Sequence, residues 1–271
     1  MRGLRAALLA LLVLGSGACS EVQQAASPTF APVTKGTLTV ATELPAPGFW
    51  NGDDPATVRG GFEWGLAQAL ADELGLTVSV RQVPFADIVS GRLDGADIAF
   101  AQVSATAERK KVVQLTQPYY ETSPAALARP DTERDLVDLA TAKKQRWVVQ
   151  EGTTLESYLA DVVRPAEKPL VLATTDAVVR AVVDGDADVA LLDLPTALTV
   201  AREDGLSVPA RFERVEPIVG VLPADSDNGQ LVDKALARLL ANGTVDRLRT
   251  KWLDPVFVVD PDTVPVIIAQ D

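Results

Sequence analysis

The chain has 271 residues, 47% of them hydrophobic and 23% charged, and a formal net charge of -12. That length suits one large domain or two lobes, and the composition is that of a folded globular protein. The acidity argues against a nucleic-acid surface, which needs clustered Lys and Arg. Histidine is absent and Cys19 is the single cysteine. This excludes Ser-His and Cys-His nucleophiles, an intrachain disulfide and a Cys-based zinc site, and it removes the commonest transition-metal ligand. An enzyme built from what remains would have to use Asp, Glu, Lys, Ser or Tyr. No metal and no cofactor is expected.

Arg2 and Arg5 precede an apolar run over residues 6–14, and small residues follow up to Cys19. Basic start, short greasy core and small-residue end read as a secretory signal over residues 1–18. The run is too short to span a bilayer as a stable helix. Gly15-Ser16-Gly17-Ala18-Cys19 also looks like a bacterial lipobox, in which Cys19 is acylated and becomes the new N-terminus, although Ser16 stands where Leu is usual. The alternative is plain cleavage near Ala18 or Ala26. Residues 20–35 are polar, small and Pro-containing, and read as a flexible tether.

The folded part starts with an alternating strand at residues 38–41. A loop with Phe49 and Trp50 follows. Residues 61–74 place Phe62, Leu66, Ala69, Leu70 and Leu74 on one helical face, and Gly75 stops the helix. A strand at 76–80, a short helix at 85–89 and a strand at 97–101 complete a β-α-β-α-β rhythm, which predicts a parallel sheet with crossover helices. An extended run ends at Pro130, and the rhythm restarts. Strands are expected at 147–149, 170–172 and 188–192, with helices at 153–163, 175–183 and 194–203. Residues 215–222 are extended again. Two amphipathic helices, 230–240 and 245–252, are separated by the stop Asn242-Gly243. The tail is apolar but cut by prolines, and reads either as an extended arm on the body or as a frayed end.

Within this pattern, residues 97–120 run from an apolar strand into a polar turn and then to Arg109. A strand that opens into hydroxyls, an amide and an arginine can place anion-binding donors at the edge of an α/β sheet, where such proteins hold small ligands. Arg109 read alone could equally be a solvated surface charge.

Several stretches together resemble the bacterial solute-binding proteins of family 3, which serve ATP-driven importers of polar amino acids. They are LTVATELP, GFEWGLAQALADELG, the run from Asp97 to Arg109 with LTQPYY, QEGTT, DADVALLD and LARLLANGTVDRLRTKWL. The resemblance covers about residues 36–252. It implies a type II periplasmic-binding-protein-like α/β fold: two lobes, two crossover hinge strands and ligand in the cleft between them. Lobe 1 would be residues 36–124 with 218–271, lobe 2 residues 125–217, and SPAALARP and RVEPIVGV the hinges.

The resemblance also implies site residues. Arg109 stands where the family binds a ligand carboxylate, a task that suits a planar, forked and permanently charged guanidinium. Gln102 and Ser104 would touch the same ligand head, and Ala101 would offer its carbonyl to the ligand ammonium. Gly152, Thr153 and Thr154 open a helix whose free N–H groups could seat a carboxylate. Asp193 matches the aspartate that pairs the α-ammonium, although a helix N-cap before Leu194-Pro195 is the local alternative. Glu43 stands where an acid often lies near the ligand side chain, and Phe49, Trp50 and Phe85 are candidates for an apolar sandwich around its stem. The usual GFDVDL pattern here reads GFEWGL, so Gly65 replaces an acid.

The expected function is capture of a polar or cationic L-amino acid and its delivery to permease subunits of an ABC-type importer. No Walker-type motif occurs, so ATP would be used by another subunit. The protein is expected to be monomeric, exported and lipid-anchored. Two rivals remain: a secreted dehydratase of prephenate or arogenate on the same scaffold, and a sensor domain that presents ligand to a receptor. Prephenate has no amine for Asp193 to meet.

Overall fold

The computed structural model describes residues 29–132 and 136–268. The expected signal segment, Cys19 and most of the tether lie outside them. Two mixed sheets organise the chain. The first has the order β2-β1-β3-β10-β4, built from β1 (Thr37–Thr42), β2 (Thr77–Gln82), β3 (Ile98–Ser104), β4 (Gln114–Thr122) and β10 (Glu216–Leu222). The second has the order β11-β9-β5-β8-β6-β7, from β5 (Pro124–Ala128), β6 (Trp147–Gln150), β7 (Leu170–Leu172), β8 (Val189–Asp193), β9 (Ser207–Phe212) and β11 (Val266–Ile267). The chain passes between the sheets at Ser123, which separates β4 from β5, and again between Phe212 and Glu216.

Strand alternation builds a core on both faces of each sheet, because successive side chains point to opposite sides. In β3, Ile98 and Phe100 join one cluster while Ala99, Ala101 and Val103 join the other. In β5, Ala125 and Leu127 face one cluster while Ala126 and Ala128 face its opposite. The long helices of the first lobe cover its first face: α1 (Phe62–Leu74), α7 (Gly229–Ala241) and α8 (Thr244–Trp252). The short α2 (Phe85–Val89) covers its second. In the second lobe α5 (Thr175–Val183) and α6 (Leu194–Asp204) lie on one face, and α4 (Thr154–Tyr158) and the short α3 (Leu139–Ala142) lie on the other. Gly75 ends α1 in the left-handed conformation, as its position predicts.

Gly65 has a packing reason. A Cβ there would come within 2.6 Å of Leu248 Cδ2 and 3.4 Å of Trp252 Nε1, so the glycine lets α8 lie close against α1. The tail follows the arm reading, and the lobe boundaries need correction: Pro124 starts β5 of the second sheet, and Glu216 and Pro217 start β10 of the first. Val266-Ile267 pair in parallel with Arg211-Phe212, so the end of the stretch 218–271 belongs to the second sheet and not to lobe 1. The cause is tertiary: Val264 and Ile267 find burial in the second lobe's clusters, at the free edge of β9.

The start of α1 is held by the loop before it. Gly48 O accepts from Phe62 N–H at 2.8 Å, and Phe49 O accepts from Glu63 N–H at 3.1 Å and Trp64 N–H at 3.2 Å. Gly61 sits at φ 114°, and an added Cβ would lie 2.1 Å from Phe49 O. Gly61→Ala is expected to cost at least about 3 kcal/mol, because backbone, not a movable side chain, is in the way. Urea denaturation with an unchanged m-value measures it; a loss within about 0.5 kcal/mol of wild type would contradict this account.

Candidate functional site

Strands β1, β3, β6 and β8 end at two sheet edges that face each other, and the cleft between them is where an α/β sheet offers a small-molecule site. Glu43, Phe85, Ala101, Gln102, Ser104, Arg109, Thr153, Thr154 and Asp193 all line this cleft. Gly152 enters through its carbonyl, which accepts from Arg109 Nη2 at 3.1 Å.

Arg109 starts a single 3-10 turn, Arg109–Lys111, and its own N–H donates to Thr106 Oγ1 at 3.1 Å. The side chain turns inward and is 8% exposed. Nη1 donates to Ser104 O at 2.6 Å, and the guanidinium lies over the Phe85 ring, 5.5 Å from its centroid. Burial pulls its pKa below the ordinary arginine value, while the charges of Glu216 and Asp193 hold it up. Two N–H groups are committed to carbonyls, and a guanidinium has five, so donors remain for an anion.

Asp193 occupies the N-cap position of α6, followed by a proline in the first turn, yet its side chain makes no capping bond. The local cap alternative therefore explains its place but not its carboxylate. Oδ1 is sealed from water and has no hydrogen-bond partner. Burial first, and then the nearby Glu216 charge, push this carboxyl up to about 7; Arg109 and Thr122 pull the other way. A buried, unpaired carboxylate oxygen costs free energy that a donor entering the cleft would recover.

Gln102 has a left-handed backbone, φ 52°, unusual for a residue with a side chain. Its N–H donates to Glu63 Oε1 at 2.8 Å. Glu63 is fully buried in α1, where Trp50 Nε1 donates to Oε2 at 2.8 Å and Tyr119 Oη–H donates to Oε1. Burial pushes its carboxyl up, and these donors pull it back. This buried carboxylate thus fixes the end of β3 that carries Ala101, Gln102 and Ser104. Glu43 anchors the other end of the cleft. Oε1 accepts from Phe85 N–H at 2.9 Å and Oε2 from Gln150 Nε2 at 2.7 Å, and burial raises its pKa.

The lobes are bonded to each other across the cleft. Besides Arg109–Gly152 and Glu43–Gln150, Thr196 Oγ1 donates to Gln102 Oε1 at 2.9 Å and Thr154 Oγ1 to Glu216 Oε2 at 2.6 Å. This is a closed arrangement. Thr153 Oγ1 donates to Gln150 O at 2.8 Å. Both threonine hydroxyl protons are therefore committed, and what this turn offers an anion is backbone N–H, free in the first turn of a helix.

Two expectations do not hold. Phe49 and Trp50 are 2% and 0% exposed and belong to the first core, not to the cleft. Phe49 packs edge-on against Phe62, and Trp50 Nε1 is held by Glu63 and the Phe100 carbonyl. The neighbouring Pro45, Ala46 and Pro47 face the cleft instead. Sequence reasoning also missed Gln150, Thr175 and Thr196 in the lining and Glu216 behind it. Gln150 ends β6 at the same edge at which Asp193 ends β8, so the strand-end rule could have found it. Glu216 ion-pairs with Arg214 at 3.1 Å on the second crossing, in the stretch RVEPIVGV that the resemblance implies only as a hinge.

Known proteins share this architecture. The chain is 30% identical to the L-cystine-binding protein TcyJ of Escherichia coli K12 over 80% of its own length and 83% of the relative's. It is 29% identical to the amino-acid-binding protein AabA of Dichelobacter nodosus over 71% of its own length and 78% of the relative's. A solved amino acid ABC transporter substrate-binding protein from Streptococcus pneumoniae, bound to L-arginine, superposes with a TM-score of 0.72 at 28% identity, covering 81% of this chain and 94% of that one. The two sheets, the double crossing and the cleft are those of the type II periplasmic binding fold. The family description "bacterial extracellular solute-binding proteins, family 3" matches residues 38–255, and the chain belongs to that family.

Proposed function

We propose that the protein captures an α-amino acid with a cationic side chain in the interlobe cleft and delivers it to the membrane subunits of an ABC-type importer. The observation that carries the reading is the sealed Asp193 Oδ1, which has no donor of its own and shares the cleft with Arg109. A ligand ammonium supplies that donor, with the Ala101 carbonyl beside it as a second acceptor. The ligand carboxylate takes the remaining Arg109 donors and the N–H groups of the Thr153-Thr154 turn. Contact with both lobes then stabilises the closed form over the open one.

Charge balance selects the side chain. The ionisable groups lining the cleft are Glu43, Arg109 and Asp193. A zwitterion satisfies Arg109 and Asp193 and leaves the half-buried Glu43 carboxylate with only neutral donors. A ligand carrying one further positive charge neutralises it, and isolated buried charge is the costly alternative. Relatives named for arginine fit this reading, including the ABC transporter arginine-binding protein 1 of Escherichia coli, 28% identical over 91% of this chain. The role is binding without catalysis. Export through the N-terminal signal, acylation of Cys19, a monomeric state and docking on permease subunits complete the proposal.

Isothermal titration calorimetry with L-arginine, L-lysine, L-glutamine and L-cystine tests the class. Arg109→Ala should weaken binding by roughly 2–5 kcal/mol, the range for breaking a buried charge contact; near-wild-type affinity for every amino acid would sink the assignment. Glu43→Gln should erode the preference for arginine and lysine over glutamine and leave the zwitterion contacts intact. If cystine binds best and Glu43→Gln changes nothing, the cationic reading is wrong while the amino-acid reading stands.

The Asp193 carboxyl, with a pKa of about 7 in the free protein, has to be ionised to receive an ammonium. Binding below that value must expel a proton, so affinity should fall by up to about tenfold per pH unit as pH drops from 7 to 5. The same group makes the free fold lose stability as pH rises from about 4, its unfolded value, to about 7, because the folded state prefers the protonated form. Asp193→Asn should therefore melt higher than wild type at pH 8 without ligand, yet bind weakly and without this pH dependence.

A further inference from the structure

Beyond the two crossings near the cleft, the chain bridges the lobes a third time through its C-terminal arm. Leu253 is fully buried in the first lobe's core, and Arg249 ion-pairs with Asp254 at 2.9 Å on that side. From there the arm leaves for the second lobe. Arg202 on α6 donates to the Pro255 carbonyl, and Val258 N–H donates to Leu198 O at 3.1 Å. Val264 is buried among the residues of one second-lobe cluster and Ile267 of the other. Arg211 N–H donates to Pro265 O at 2.8 Å beside the β9–β11 pairing. Between the two anchorages, Phe257 packs against the cores of both lobes. The family match ends at residue 255, so the crossing and its distal anchor lie outside it.

We propose that this arm is a strap that biases the ligand-free protein toward the closed arrangement. The argument is geometric. The lobes move as packed bodies, and rotation about the two crossings displaces Leu253 relative to Val264. A chain anchored at both points resists that displacement, and opening must either pull Phe257 off the first lobe's core or break the bonds to α6. The strap acts on the lobes and not on the ligand, so it stands or falls independently of which solute the cleft takes.

The test uses ligand-free protein. In a full chain with Cys19→Ser, cysteines are placed at the exposed positions Asp225 and Lys168, one on each lobe, spin-labelled and measured by pulsed electron resonance. Phe257→Ala removes the shared packing. Insertion of Gly-Ser-Gly-Ser between Val256 and Phe257 slackens the crossing while keeping both anchors. Both variants are expected to move the interlobe distance distribution away from that of the unmodified strap, toward a broader, open population, with the far-UV circular dichroism unchanged. An unchanged distribution in the insertion variant overturns the proposal, whether or not its melting temperature falls, because an arm that only finishes the second sheet would lower stability without moving the lobes. Loss of the folded signal in both variants overturns it too, since the arm would then be part of the fold itself.

Discussion

A guanidinium buried between two bodies needs acceptors from both, and Arg109 has them. Ser104 O belongs to its own lobe and Gly152 O to the opposite one. Asp193 and Glu216 supply negative charge without touching it. The rest of the cleft follows from that constraint. The end of β3 carries a register shift against β10 where Gln102 takes a left-handed backbone, and the fully buried Glu63 holds it there. The loop before α1 has to satisfy Glu63, so Trp50 goes into the core.

Asymmetry between the two anchors gives the site its logic. Arg109 is held in place by two protein carbonyls, whereas Asp193 keeps one oxygen with nothing to bind. The first is a fixed post. The second is an unmet demand, held in an environment that penalises its charge. The same residue thus weakens the empty protein and rewards an ammonium. Stability given up at a site and recovered on binding is a common arrangement.

Most of the fold was legible from periodicity. The strand-helix rhythm, the stop at Gly75 and the helix pair around Asn242-Gly243 all depend on local chemistry that sequence displays. The candidate site was legible at strand ends, as at Ala101 to Ser104 in β3 and at Asp193 in β8. It was not legible where a residue's role depends on distant partners. Phe49 and Trp50 look like cleft aromatics until Gly61 and Glu63 are seen to draw their loop inward. Gln150 carries no charge, and although it opens the QEGTT stretch and ends β6, its bonds to Glu43, Thr175 and the Ala173 carbonyl are what reveal it as a clasp. The end of the arm was misplaced because two short apolar runs cannot say which sheet edge they will meet.

The position of β10 has a kinetic consequence. It lies between β3 and β4 in the first sheet, yet in the chain it follows β5 to β9 of the second sheet. The first sheet cannot be completed until all of the second sheet except β11 has been made, and α7 and α8, which cover it, come later still. Such a fold is dominated by contacts between residues far apart in sequence, which slows folding. A nascent chain of this design remains without a finished N-terminal lobe through most of its synthesis. That delay suits a protein of an extracellular family, because an unfinished lobe is easier to thread across a membrane than a closed one.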